Sequence, residues 1–598
     1  MIAKMLKVHV VARAADRDAL LEALRGLSVV HLVPVDANRA VADAETVAAL
    51  DRFRRARQVL EMTTPAGAPP DLAPEAAADE VLRIQRESAE LGARLSTLHR
   101  RIEQLALWGD VRLEAFEDLR AAGVEPRFFL VPTKQVPDVR AEVVHVIGPW
   151  PGRRSLVAVI HRGGEPQLPE GAEPVPLPQA DRPTLRAEAT RIDAALQAGA
   201  ARTAALAHLA PAMAAAQARL VEQAAWTVAT RSALADEHLY ALQGWVPEGR
   251  AASLAADLRM AGVAAAVEVH DAAPAEEPPT LIHYPWWARP MKGLFQILGT
   301  VPGYTEFDVS AAFMIALPIF SAILISDAGY GLLYFLLPVI LYRKMKAAGA
   351  ADLAHLIMIV GILSMVWGVV TTSFFGKDIS GLFGRQGPWI AVTMDKRAMD
   401  FLMYISITLG AVHLSFAHLW KAKAAFPGLR CLSEMGWAVW LWGMYGLVKT
   451  FLLKDPPTFD LFLRTTWYPY LLLAGGALAI LFASPDRNPL KMLGLGLASF
   501  PLAAIGTFGD TISYVRLMAI GLGGSALAVT FNDMASQLPL VATIPILILA
   551  HALNVSLSIV ALLAHGVRLN MLEFSNNLGM QWSGYAYEPF SRKRVEET

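Results

Sequence analysis

Two arginines set in long apolar runs are the residues of this sequence best placed to do chemistry. Arg516 lies near the middle of GDTISYVRLMAIGLGGSALAV (509–529), and Arg568 lies in ALLAHGVRLNMLEF (561–574). A guanidinium at membrane depth is costly, and it is kept where it meets a partner, a cavity or an aqueous path. Ser513 and Ile512 lie three and four residues behind Arg516, and Ala519, Ile520 and Gly523, followed by Gly524, lie ahead of it. Most are small, so another helix can approach closely. No acid falls within one turn, since Asp510 is six residues back and Asp533 seventeen ahead. The pattern points to a charge presented to a partner on another chain. The second run carries a polar stripe, His551, Asn554, Ser558, His565 and Arg568, at offsets of 3, 4, 7 and 3, roughly on one helical face. That is the chemistry of a hydrated ion path. Glu573 is a further half-channel candidate, but at about 100° per residue it falls about 140° from Arg568 and is not paired with it.

Plainer readings compete. Arg568 is late in its run and could snorkel to the interface, and His551 and Asn554 also suit interhelical hydrogen-bond glue. His413 and His418, five apart, do not share a face, so packing or pore polarity is expected of them instead of metal binding. Asp327 in SDAGYG reads as a structural cap at a helix interruption, and Arg52, Arg54, Arg55 and Arg57 read as a solvated helix face. Cys431 is the single cysteine, expected to be a buried, inert thiol, which excludes an intramolecular disulfide. There is no GxxxxGK[ST] phosphate loop and no His/Asp/Glu cluster at metal spacing. We therefore expect no catalytic residue, no metal and no cofactor.

The elements that would position these residues divide the chain in two. Its 598 residues are 54% hydrophobic and 18% charged, with Ala, Arg, Glu and Asp concentrated before about residue 300 and long apolar segments after it. A net charge of −1 argues against nucleic acid. Apolar segments occur at roughly 309–326, 328–345, 353–376, 399–425, 432–453, 468–484, 494–538 and 540–578. The last two are long enough that they must tilt, break or project. Cations follow the second span (Arg343, Lys344, Lys346), the fourth (Lys421, Lys423), the sixth (Arg487, Lys491) and the eighth (Arg592, Lys593, Arg594), with Lys396 and Arg397 the exceptions. The even count keeps both termini on the cytoplasmic side. The N-terminus lacks a signal peptide, so the first half is expected in the cytoplasm.

In that half, strands are expected at 5–11, 28–35, 127–132, 143–148, 155–161, 238–247 and 263–270. Helices are expected at 15–26, 45–62, 72–107, 181–236 and 248–261. The expected fold is an α+β cytoplasmic half, two small α/β lobes joined by antiparallel helical hairpins, then an all-α polytopic membrane domain of about eight helices, the last two long and tilted. The expected domains are 1–300, with lobes at about 1–40 with 124–180 and 236–275 and a rod at about 45–107 and 181–236, and 301–598.

At several of these residues the sequence resembles the membrane stator subunit of V-type and A-type rotary ATPases, called subunit a in eukaryotes and subunit I in archaea and bacteria. LQGWVP (242–247), ISDAGYGLLY (325–334), GILSMVWGVVTTSFFG (361–376), SYVRLMAIGLGGSALA (513–528), HALNVSLSIVALLAHGVRLNMLEF (551–574) and GYAYEPF (584–590) are similar to its motifs in order and spacing. Ser326 replaces a usual glycine, and FSNNLG follows Glu573 where the family often has a lysine and aromatics.

The resemblance implies a multi-pass plasma-membrane subunit that is not itself an enzyme. It implies contact with a rotating ring of proteolipid subunits, peripheral stalk subunits, a central-stalk subunit capping the ring, and membrane lipid. Arg516 would take the position of the essential arginine and Arg568 that of the second, with H⁺ or Na⁺ passing through two offset half-channels. The rival readings are a secondary transporter or channel with a cytoplasmic regulatory domain, which inverted repeats would favour, and a purely structural membrane tether.

Overall fold

The computed structural model describes residues 1–35, 42–161, 165–485 and 488–592; Arg487, Lys593 and Arg594 lie outside them. The chain opens with β1 (Met5–Arg13), α1 (Arg17–Leu27) and β2 (His31–Val33), followed by α2 (Ala44–Glu61), α3 (Pro74–Gln104) and α4 (Leu113–Ala121). Next come β3 (Arg127–Pro132), β4 (Val143–Trp150), β5 (Arg154–Ile160) and β6 (Glu173–Val175). Then follow α5 (Arg182–Leu206), α6 (Ala210–Ser232), β7 (Leu234–Ala235), β8 (Leu239–Pro247), α7 (Glu248–Met260) and β9 (Ala265–Asp271).

Period-2 alternation in β1 puts Val8, Val10 and Ala12 on one face, where they pack with Leu20, Leu21 and Leu24 of α1 and Leu254 and Leu258 of α7. The sheet runs β2-β8-β1-β9, antiparallel, with Met5 opposite Pro247 and Leu6 opposite Asp271. The strands of 5–33 thus pair with those of 239–271, while β3 to β6 form a sheet of their own, in the order β4-β5-β3-β6. Between the sheets, α2, α3, α5 and α6 bury Phe53, Leu60, Val81 and Leu206 in one cluster, and α3 and α5 bury Leu98, Leu185 and Ile192 in another. Strand β2 is shorter than the expected 28–35, because Ser28 takes a left-handed conformation (φ 53°) to end α1. The stretch 181–236 is two helices, broken at Ala207–Leu209.

The second half is mostly helical. A short α8 (Met291–Leu298) precedes α9 (Ser310–Ile325), α10 (Ala328–Ala347) and α11 (Ala351–Val370). A small hairpin, β10 (Ser373–Phe374) with β11 (Lys377–Asp378), leads to α12 (Lys396–Ala425), α13 (Arg430–Leu453), α14 (Phe459–Thr465) and α15 (Tyr468–Leu481). The last arm is α16 (Pro489–Ser513), α17 (Val515–Ser536), α18 (Leu540–Ala561), two π-helical segments (Leu562–Gly566 and Leu569–Phe574) and α19 (Ser575–Leu578). Among the described residues, four helical runs are long and apolar enough to cross a membrane: Ala351–Val370, Lys396–Ala425, Pro489–Ser536 and Val541–Leu578. Ser310–Ile325 and Tyr468–Leu481 are apolar but shorter. The 48-residue run Pro489–Ser536 is about 72 Å of helix, more than twice a hydrocarbon core of about 30 Å.

Beyond α19 the chain turns back to the first sheet. Thr280 and the strap exchange backbone hydrogen bonds, Thr280 N–H to Tyr585 O (2.8 Å) and Tyr587 N–H to Thr280 O (3.1 Å). The Tyr587 hydroxyl donates to Val29 O, the Glu588 N–H to His31 Nδ1 (3.1 Å) and the Phe590 N–H to Val30 O (2.8 Å). Phe590 packs beside Trp226, and Arg592 pairs with Glu22.

Candidate functional site

Helices α16 and α17 meet at Tyr514, whose ring is fully buried between Phe320 and the backbone of Gly410, where a Cβ would overlap it. His413 Nδ1 lies 2.8 Å from the Tyr514 hydroxyl, and the imidazole stacks on Phe574 with centroids 4.4 Å apart. This packing fixes the helix joint two residues before Arg516. There the guanidinium meets an acid: Arg516 Nη1 is 3.8 Å from Glu573 Oε1, and Arg568 Nε is 3.5 Å from the same oxygen. Both contacts correct the expectation that Arg516 has no acid in this chain and that Glu573 faces away from Arg568. The physical reason is the π-helical winding over Leu569–Phe574, whose wider turn brings residues five apart onto one face.

Glu573 is buried, the Arg516 side chain is 24% exposed and that of Arg568 is 50% exposed. Two guanidiniums face one carboxylate, so this three-residue cluster holds one more cation than acid. Arg516 Nη1, Glu573 Oε2, Asn570 Oδ1 and His565 Nδ1 are all buried without a hydrogen-bond partner among the described residues.

From Glu573 a polar chain runs toward the lobes. Asn577 Nδ2 donates to Glu573 O (2.6 Å) and to Asp510 Oδ2 (2.7 Å), and its Oδ1 lies 3.1 Å from His418 Nε2. His418 Nδ1 is 2.9 Å from Glu434, which also pairs with Lys421 at 2.9 Å. His418, Lys421, Glu434, Asp510 and Asn577 line an open cavity of about 310 Å³ together with Trp437, Ser499 and Thr507. Asp510, Glu434, Lys421 and Asn577 were not singled out as site residues in the sequence; the signal available was an acid, Glu434, inside an apolar segment, and an amide one turn past Glu573.

The remaining stripe residues gather elsewhere. His551 Nδ1 lies 2.7 Å from the Tyr330 hydroxyl, and Asn554 Nδ2 donates to that hydroxyl (2.9 Å) and to Gly524 O (3.0 Å). His551 Nε2 faces Asn532 Oδ1 at 3.3 Å, and the Ser558 hydroxyl donates back to Asn554 O at 2.8 Å. Seventeen residues separate His551 from Arg568, roughly 25 Å of helix. Asp327 is buried and accepts from the N–H groups of Gly329 (2.8 Å), Tyr330 (3.1 Å), Phe375 (2.9 Å) and Gly376 (2.9 Å) and from the Ser373 hydroxyl (2.6 Å). It caps α10 and pins the β10–β11 hairpin to it.

Ser513 donates to Gly509 O (3.1 Å) and stays outside the arginine cluster. Gly523 faces open space, and Gly524 only approaches Asn554. The close helix approach falls instead at Gly521, where a Cβ would collide with Ile323 O. Cys431 is half-buried, short of the full burial expected of it.

A mixed α/β region followed by apolar helices that bury a charged cluster defines the class: a helical membrane protein carrying an α/β domain. No family model matches the chain. It is similar to V-type ATP synthase subunit I of Borreliella burgdorferi, 31% identical over 59% of this chain and 60% of that protein. It is similar to V-type ATP synthase subunit I 1 of Treponema pallidum, 33% identical over 54% of each, and to A-type ATP synthase subunit I of Archaeoglobus fulgidus, 25% identical over 60% and 59%. The curated homologues of the chain are thus subunit I of V-type and A-type ATP synthases, and the chain spans 54% to 60% of the length of these three. A solved structure of the cytoplasmic N-terminal domain of subunit I, homolog of subunit a, of V-ATPase aligns over 44% of this chain and all of its own, at 17% identity with a TM-score of 0.20.

Proposed function

We propose that the chain is the ion-translocating stator subunit of a prokaryotic V/A-type ATPase and, by itself, not an enzyme. The observation that carries this reading is the convergence of Arg516 and Arg568 on buried Glu573, with unpartnered polar atoms around them. The surplus positive charge suits a carboxylate brought by a rotating proteolipid ring. At about 4 Å and an effective dielectric near 20, such a contact is worth roughly 4 kcal/mol. That is ample to hold the passing carboxylate ionised and release its ion. Arginine is the suitable cation, because lysine loses its proton when desolvated.

The lobe-side half-channel in this reading is the cavity of Lys421, Glu434, His418, Asp510 and Asn577. The opposite half-channel is the Tyr330–His551–Asn554 network with Ser558 and His565. Residues 301–598 form the transmembrane domain, with its eight helical ranges as spans. Residues 1–300 form a cytoplasmic domain that anchors peripheral stalks through its lobes, with the ring-capping subunit of the central stalk alongside. The C-terminus is cytoplasmic, because the strap returns to the first lobe, and the membrane is the plasma membrane. The test is ATP-driven ion pumping by the intact complex in proteoliposomes. Arg516→Ala and Arg516→Lys are expected to abolish pumping while the complex still assembles, and near-normal pumping by either overturns the assignment.

A further inference from the structure

A corner of the apolar half on the lobe side carries charge and aromatic surface that the translocation site does not use. Helix α8 packs on the start of α11, with Gly293 against the backbone of Leu353. Arg289 pairs with Asp352 at 3.3 Å, and Tyr342 of α10 lies 3.3 Å from His355 of α11. The α10–α11 turn closes through Ala350 N–H to Met345 O (2.8 Å). Four exposed cations are thus gathered around one turn: Lys292 on α8, and Arg343, Lys344 and Lys346 in the last turns of α10. None makes an ion pair among the described residues. The acids nearby are engaged, Asp352 by Arg289 and Asp308 by the Met1 amine, while Glu306 accepts from the N–H groups of Gly303 and Trp582.

Two further observations set the depth of this corner. Below the cations, α10 presents Leu333, Leu336, Leu337, Val339 and Ile340 as a continuous exposed apolar face. Just before α8, Trp286 is 87% exposed, and Trp287, Ile297 and Leu298 are also exposed, although α8 buries Met291, Leu294 and Phe295. Exposed indole rings, and cations at the end of an apolar helix face, are the side chains that settle at the boundary between hydrocarbon and headgroups.

We propose that α8 and the α10–α11 turn form an anionic-lipid headgroup site, with Lys292, Arg343, Lys344 and Lys346 taking lipid phosphates and Trp286 lying among the headgroups. Charge complementarity selects the occupant: four unpaired cations next to an apolar slope match a negatively charged leaflet. The proposal rests on reading the chain as membrane-embedded, but its test involves no pumping, so the two fail separately.

The test places the full chain in nanodiscs of dioleoyl-phosphatidylcholine with or without one-third dioleoyl-phosphatidylglycerol. Retained lipids are counted by native mass spectrometry, and hydrogen exchange is followed over 283–298. Phosphatidylglycerol is expected to be retained several-fold over its share, to slow exchange in 283–298, and to resist competition by inorganic phosphate. Lys344→Glu with Lys346→Glu should bring retention to parity, Lys344→Gln with Lys346→Gln should lower it by about fivefold per charge, and Arg100→Glu with Arg101→Glu in the rod should leave it unchanged. Equal retention of both lipids, a preference that survives the charge reversal, or displacement by free phosphate overturns the site. Protection of 283–298 that appears only when other subunits of the complex are added assigns the corner to a protein partner and also overturns it.

Discussion

Asn577 ties its own helical run to α16 and α12 through one side chain, joining Glu573, Asp510 and His418, and that makes it the residue whose loss is most informative. Asn577→Leu keeps the volume but takes the amide partner from half-buried Asp510 and from Nε2 of buried His418, a change costing about 1–3 kcal/mol. In intact complexes we expect ATP-driven pumping to fall at least tenfold while assembly persists. Unchanged pumping would remove the amide from the proposed ion path. Glu573→Gln should act differently, since it frees both arginines from their carboxylate. Pumping is expected to fall by an order of magnitude or more, with Glu573→Asp partly restoring it. At this scale the sequence was legible where a charge violated its surroundings, as Arg516 does. It was illegible where geometry broke the helical period, because nothing in LNMLEF announces a π-turn, and a 3.6-residue repeat puts Glu573 on the wrong side of Arg568.

Among the elements, the joint between α16 and α17 and the seat of α17 on α9 decide where Arg516 points. The seat depends on Gly521, which lets the backbone of Ile323 approach. Gly521→Val is expected to cost about 1–3 kcal/mol by overpacking. It should be seen as a lower thermal midpoint of the purified chain in detergent, whereas Gly523→Ala, facing open space, should leave the midpoint unmoved. If both glycines tolerate substitution equally, α17 does not rest on α9 as described. The run IGLGGS showed that a helix comes close, but it could not say which glycine it meets. That choice depends on the rotation of α17, which its nearly uniform apolar surface leaves undefined in the sequence. Strands and rod helices were far more legible, because β1, β3 and β5 carry a clear strand pattern and α3 a clear 3.6-residue repeat.

For the whole molecule, the strap beyond α19 matters most, since it ties the arm bearing Arg568 and Glu573 to the first lobe. Its motif GYAYEPF has no period to read, so its course emerged only from the structure. His31 accepts the Glu588 N–H through Nδ1, which requires the neutral ring, and burial holds its pKa below the ordinary histidine value. The unfolded ring, with a pKa near 6.5, therefore binds protons that the docked ring refuses. The contact contributes fully above about pH 6.5 and weakens as pH falls through the docked value. Hydrogen exchange over 584–592, corrected for intrinsic rates, is expected to quicken below about pH 6, and His31→Phe should flatten that dependence. An unchanged profile in the His31→Phe chain would dissociate the imidazole from the strap. The same closure sets an order in time. Glu588 lies 557 residues after His31, so at about 5–20 residues per second the ribosome needs roughly 30 to 110 s between making the two. Throughout that interval the seam at Val29–His31 stands open, and it seals only once the apolar helices α9 to α18 have been synthesised, so a sealed first lobe marks a chain translated past Arg568 and Glu573.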